Sequence, residues 1–379
     1  MSKALVLSGG GARAAYQVGV LSAVNDILSQ KSGPNPFPII CGTSAGAINA
    51  LALASHAGSF REAVDDVIDI WGNLSMDKVI RTGWKDITGG FTRVGKSFFN
   101  QGVGAKQPLA LLNNEPLKVL LEEHINFQNI NQAISNGYLR AVAITAMAYS
   151  SGESVSFFQG ACELKEWRRF HRVGRKSELT MQHLMASAAI PWIFPTVKID
   201  KEYYGDGAIR QLSPLSTALH LGAKKIFVIG VGSNRNPAHW GKKKVVRHSP
   251  SLGQIFGHLL NSAFIDSLDG DLEHLELINR LLEMIPEDEE KQSLGLRKVD
   301  TLVISPSKEL DKIAGRNVRY LPKSLRLLMR TTGATARSGG AAAASYLLFV
   351  NHFCNELIEL GYQDAMWERE SIESFFETD

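Results

Sequence analysis

The chain has 379 residues, 44% of them hydrophobic and 21% charged, with a formal net charge of +3. That is enough apolar material for one large domain or two medium ones, and too small a charge excess for a general attraction to nucleic acid. Cys41, Cys162 and Cys354 are odd in number and far apart; they exclude a disulfide framework and a Cys-x-x-Cys metal or redox pair, and read as buried thiols in a reducing compartment.

Strand-like runs occur at 4–8, 36–41, 139–147, 154–158, 196–199, 225–231 and 301–305. Helical patterns separate most of them, which predicts an α/β fold with a largely parallel central sheet flanked by helices. Residues 252–294 carry no strand pattern and read as a helical insertion within about 250–298, and everything beyond about 310 reads as helix and loop. A catalytic domain over 1–306 with a helical C-terminal extension over 307–379 fits this order better than two independent domains. The acidic run at 266–276, D-S-L-D-G-D-L-E-H-L-E, lacks the spaced carboxylates of a calcium loop and places its leucines at a helical period, so no metal is expected there. The opening M-S-K-A-L-V-L-S-G-G-G has too short an apolar run for a secretion signal, and no stretch reaches the ~18 apolar residues of a membrane span. A soluble, cytoplasmic protein is expected.

The first strand runs into Gly9, Gly10, Gly11, Ala12 and Arg13. Gly9-x-Gly11-x-x-Ala14 fits a dinucleotide fingerprint and admits a nucleotide-binding oxidoreductase. That reading requires an acidic residue at the end of the next strand, where the sequence has Cys41-Gly42-Thr43-Ser44 instead. Consecutive glycines at a strand end can also turn their N–H groups toward a developing oxyanion.

Gly42-x-Ser44-x-Gly46 follows a short apolar run and precedes the Ala- and Leu-rich segment A-G-A-I-N-A-L-A-L-A. Strand, sharp turn and helix are the context of a nucleophile elbow, and Ser44 would equally suit a helix N-cap. Both glycine-bearing turns lie at the carboxyl ends of successive strands, where open α/β sheets place their sites. For a proton acceptor, none of the ten histidines stands out: His56, His124, His183 and His220 fall in helical patterns, and His171, His239 and His248 among cations or in loops. Asp206, between Gly205 and Gly207 and followed by Ala208 at a strand end, is better placed, because bare flanking backbone leaves its carboxylate reachable.

Together, G-G-G-A-R at 9–13, G-T-S-A-G at 42–46, A-S-A-A-I-P at 186–191 leading to F-P-T-V at 194–197, and D-G-A at 206–208 resemble the patatin-like phospholipases. The resemblance covers about 200 residues. It implies a lipid acyl hydrolase with Ser44 as nucleophile, Asp206 as base and the loop of Gly9, Gly10, Gly11 and Arg13 as oxyanion hole, with no metal or cofactor needed for catalysis. Phospholipids or lysophospholipids are the implied substrates; small soluble esters or thioesters, and a catalytically silent lipid-binding module, are the alternatives. Two positions depart from the family's habit: Ala14 replaces a frequent Gly, and Trp192 follows Ile190-Pro191 where a small residue is common. Ala14 should be harmless in a helix, and Trp192 is expected to pack in the core rather than line an acyl channel.

Charge is uneven along the chain. Residues 165–176, 242–248 and 308–330 are basic, and the final 24 residues carry eight acids against one Arg. Such blocks read first as solvated faces; Trp167, Phe170, Leu325, Leu327 and Leu328 interleave with the cations, which also admits transient contact with an anionic membrane surface. Arg316, Arg319, Lys323, Arg326 and Arg330 would share one helical face, except that Pro322 must break or start a helix.

Overall fold

The computed structural model describes residues 2–28, 33–99, 110–232, 249–285, 297–331, 333 and 341–377; the basic run at 242–248 lies outside them. Ten described strands form one sheet: β1 (Lys3–Leu7), β2 (Ile39–Thr43), β3 (Ala141–Ala148), β4 (Ser154–Gly160), β5 (Trp167–Arg169), β6 (Arg172–Lys176), β7 (Val197–Ile199), β8 (Glu202–Asp206), β9 (Lys225–Ile229) and β10 (Asp300–Ile304). Their order is β10-β9-β1-β2-β3-β4-β6-β5, with β8 pairing β3 and β7. From β10 to β3 every neighbour is parallel, whereas β3–β4, β3–β8, β5–β6 and β7–β8 are antiparallel. The expected α/β architecture is therefore present, with an antiparallel flank that the alternation of runs did not reveal.

Central strands read as unbroken apolar runs because both their faces are covered. Leu5, Leu7, Ile40, Val142, Phe227 and Ile229 enter one core cluster. Their neighbours Ala4, Val6, Ile39, Ala141, Ile226 and Val228 enter the cluster on the opposite face. The first face is covered by α1 (Ala15–Leu28), α2 (Ala45–Ser55) and α3 (Phe60–Gly72), and the same core takes in Phe353, Leu357 and Leu360 of the helix Asn351–Trp367. Phe375 and Phe376 pack against Phe227, and Phe376 also meets Phe37. The segment expected as an extension thus contributes side chains to the core that supports the sheet.

Two basic segments take different forms. Residues 165–176 make the β5–β6 hairpin, turned at His171 with φ 54°, and Trp167 stacks between Phe158 and His220 rather than facing outward. Phe170, at the tip, is the large apolar side chain that the hairpin exposes. Residues 308–330 form the helix Leu310–Asn317, a short turn at Val318–Tyr320, and a second helix Lys323–Thr331 that begins after Pro322. The break leaves Lys312 and Arg316 on the first helix, Arg319 in the turn, and Lys323, Arg326 and Arg330 on the second.

In the region of 252–294, the helix Leu252–Asn261 starts with a capping box between Ser251 and Gln254. One π turn then leads into the helix Ser267–Met284, where Leu268, Leu275 and Leu282 are buried at a heptad spacing. The acidic run is helical, as its leucine period implied. Among the described residues no group of three or more metal-ligating side chains is assembled, and no helix is long and apolar enough to cross a membrane.

Candidate active site

The sheet topology explains how residues 162 positions apart meet. β2 pairs with β3 from Ala141 to Thr145, with Thr43 opposite Thr145. β4 occupies the other edge of β3, so where β2 ends, β8 takes over the vacated edge, with Asp206 opposite Ala146. Ser44, the residue after Thr43, therefore turns away from the sheet beside the incoming Asp206. Ser44 Oγ donates to Asp206 Oδ2 at 2.5 Å.

Ser44 occupies a backbone conformation that a side chain rarely adopts, φ 55° and ψ −126°. Its amide donates to Ser187 Oγ at 3.0 Å, and Ser187 Oγ in turn donates to Thr145 O at 2.6 Å. The turn also needs close backbone approach: a Cβ at Gly46 would lie 2.4 Å from Leu7 O, and one at Gly42 2.4 Å from Gly46 O. Ser44 heads α2 without making a side-chain cap bond, so its hydroxyl is held for Asp206 instead of the helix. Ser44 thus lacks the side-chain bond of the N-cap reading.

Asp206 is fully buried. Its Oδ1 accepts from Ala208 N at 3.0 Å, within the turn that starts at Gly207, and its own amide donates to Ala189 O at 2.9 Å. A Cβ at Gly207 would fall 2.1 Å from Thr145 O, so the glycine lets the turn press against β3. Burial pushes the Asp206 carboxyl up to about 7, against the hydrogen bonds from Ser44 and Ala208 that pull it down. The buried carboxylate thereby gains basicity in the range a neutral-pH proton acceptor needs. The described histidines with side-chain partners are engaged elsewhere: His56 and His124 at Asp66, His183 with Thr180, and His220 with Ser216.

The glycine loop adjoins this pair because β1 and β2 are parallel neighbours in register, Leu7 opposite Gly42. A Cβ at Gly9 would come within 3.1 Å of Ser44 Cβ. Gly10 is extended at φ 171°, and Gly11 has φ 54°. Arg13 lies in the same loop, and its guanidinium points into the C-terminal half: Nε donates to Ser345 Oγ at 2.7 Å, an amino nitrogen meets Asp311 Oδ1 at 2.5 Å, and the group sits 4.0 Å from the centre of the Tyr346 ring. At 3% exposed, Arg13 is an internal clamp.

Beside Ser44 lies a small apolar cavity of about 20 Å³ lined by Gly11, Ile48, Trp71, Leu121, Phe194 and Phe349 among others. Trp192, expected in the core, is 60% exposed and has φ 70°. Its carbonyl is tied to Leu111 N and that of Ile193 to Leu112 N, which turns the indole out of the interior. Ser187 was contained in the A-S-A-A-I-P motif without a role; a serine among small residues at a helix end is the only signal the sequence offers for it.

A glycine loop, a serine elbow and a buried carboxylate at one end of an α/β sheet belong to the lipid acyl hydrolases. The chain is a member of the patatin-like phospholipase family, whose family model matches residues 5–219, more than half its length. Among solved structures, the crystal structure of VipD from Legionella pneumophila is similar at 12% identity and a TM-score of 0.33, covering 98% of this chain and 67% of that one. No curated protein matches the chain.

Proposed function

We propose that the protein hydrolyses fatty-acyl esters of phospholipids or lysophospholipids through a Ser44–Asp206 dyad and a covalent acyl-enzyme. The observation that carries this reading is the 2.5 Å bond between the Ser44 hydroxyl and a buried carboxylate. Asp206 takes the hydroxyl proton as Ser44 Oγ attacks the ester carbonyl, and the tetrahedral oxyanion is stabilised by amides of Gly9, Gly10 and Gly11. Collapse breaks the ester C–O bond, and the leaving alkoxide takes the proton from Asp206. Water then gives a proton to Asp206 and attacks the acyl-enzyme; the fatty acid departs as Oγ regains its proton. Arg13 is the anchor of the loop in this scheme, and no metal or cofactor takes part.

A fluorophosphonate probe should label the wild type and not Ser44→Ala, and Asp206→Asn should lower labelling and turnover of a lysophospholipid by about 10³-fold or more. Labelling that persists in Ser44→Ala, or near-normal turnover in Asp206→Asn, would sink the dyad. A panel of phospholipid, lysophospholipid, acyl-CoA and short ester substrates separates a lipase from an esterase or thioesterase.

A further inference from the structure

The space beside Ser44 has room for about one water molecule, not for a hydrocarbon chain. A far larger apolar groove of about 520 Å³ lies on the other side of Phe194 and Phe349, the two residues that line both spaces. Its volume falls in the ~300–1,000 Å³ range of small-ligand sites. Resting on the hydrolase reading above, we infer that this groove seats a single long fatty-acyl chain of the substrate, and that the Phe194 and Phe349 rings form the partition between the chain's seat and Ser44.

Four observations converge on that occupant. The groove wall is hydrocarbon almost throughout, with Ile255 and Leu259 on one helix, Leu325 and Leu328 on another, and Phe91 and Trp192 closing it, so it suits a tail and not a headgroup. Leu252, Leu259 and Trp192 are 73%, 62% and 60% exposed, a density of large apolar side chains that marks a binding surface. Ser44 is 2% exposed and Asp206 0%, so an ester needs a path inward, and Phe194 and Phe349 are the residues that the roomy apolar space shares with the cavity lined by Ser44. Lys323, Arg326 and Arg330 belong to the helix whose Leu325, Leu328 and Met329 line the groove, which places cations beside the tail site for an anionic headgroup.

Most of the wall comes from outside the stretch that matches the family model. Leu252, Ile255, Leu259, Leu325, Leu347 and Phe349 all fall beyond the residues that match the family. Phe349 sits on the short connection between the helices Ala341–Leu347 and Asn351–Trp367, and Phe194 two residues after Trp192 with its positive φ. Both rings are thus carried by connections rather than by the middle of a helix or strand.

The test compares kcat/KM for p-nitrophenyl palmitate and p-nitrophenyl butyrate. Ile255→Glu and Leu259→Glu place a carboxylate in the groove from positions already open to solvent, where the fold tolerates it; Leu277→Glu, exposed on another helix, is the control. The palmitate-to-butyrate ratio should fall about tenfold or more in the first two and stay at the wild-type value in the control. A ratio within about twofold of wild type in both groove variants overturns the inference. In parallel, Ser44→Ala should bind the fluorescent fatty acid cis-parinaric acid saturably, and adding Leu259→Glu should weaken that binding about tenfold. Absent or unaltered binding overturns the inference even if neither ester is cleaved. Should Ser44→Ala still hydrolyse both esters while the ratio responds to the groove, the dyad falls and the acyl seat stands.

Discussion

Asp206 has two effects that run in opposite directions with pH. As the base proposed above it must be ionised, so with its carboxyl at about 7 hydrolysis of a soluble ester should climb between about pH 6 and pH 8 and then level off. For folding, a carboxyl whose native value lies above its unfolded value contributes stability at low pH that is lost as pH rises through about 7. Urea unfolding of wild type should therefore show stability falling from about pH 4 to about pH 7, and Asp206→Asn should remove that slope. Stability that rises over this window would refute the burial argument. Ser44 carries a similar cost in its backbone: Ser44→Gly relieves the 55° φ and should raise stability by about 1 kcal/mol while eliminating labelling by the fluorophosphonate.

At the scale of elements, the glycine loop and the C-terminal segment hold each other. A Cβ on Gly11 would meet Tyr346 O at 2.1 Å in addition to its positive φ, so Gly11→Ala should cost about 2 kcal/mol or more in urea unfolding and lower turnover. Asp311→Ala leaves the buried Arg13 guanidinium without its carboxylate. Because Asp311 is 37% exposed, the penalty is screened to about 1–3 kcal/mol, and turnover should fall more than substrate affinity if the loop positions the oxyanion donors. A kcat unchanged in Asp311→Ala would separate the clamp from catalysis.

What the sequence made legible follows from the same constraints. β1, β2 and β9 could be read because strands covered on both faces become apolar runs, and the serine and aspartate turns because close backbone contacts demand glycine at fixed offsets. The β5–β6 hairpin escaped because edge strands are kept polar, and Arg168, Arg169, Arg172 and Arg175 look like any solvated run. Periodicity beyond residue 310 announced helices but not their partners, since an apolar face does not say what it will cover. Trp192 was expected inside, while the backbone bonds of its turn to Leu111 and Leu112 accompany an indole that is 60% exposed.

For the molecule as a whole, access to lipid is the remaining physical problem, and its basic segment is only partly free to help. Lys312 pairs with Glu309 and Arg316 with Glu356, while Lys323 and Arg330 are exposed on the helix that lines the groove. Each such cation contributes at most about 1 kcal/mol toward an anionic surface, screened over ~10 Å at 0.1 M salt. Binding to phosphatidylserine vesicles should weaken from low to moderate salt, and Lys323→Glu with Arg330→Glu should flatten that dependence. Salt-insensitive binding in both proteins would make this a solvated face and nothing more.

The clamp on Arg13 also orders events in time. Asp311 follows it by 298 residues, and a ribosome adding about 5–20 residues per second needs roughly 15–60 s to bridge that distance. For most of that interval the nascent chain holds Ser44, and for its last third Asp206 as well, yet the glycine loop beside them lacks its anchor. Asp311 and Ser345 are the last of these parts to be synthesised, so in the dyad proposed above the loop gains its anchor after both Ser44 and Asp206 exist.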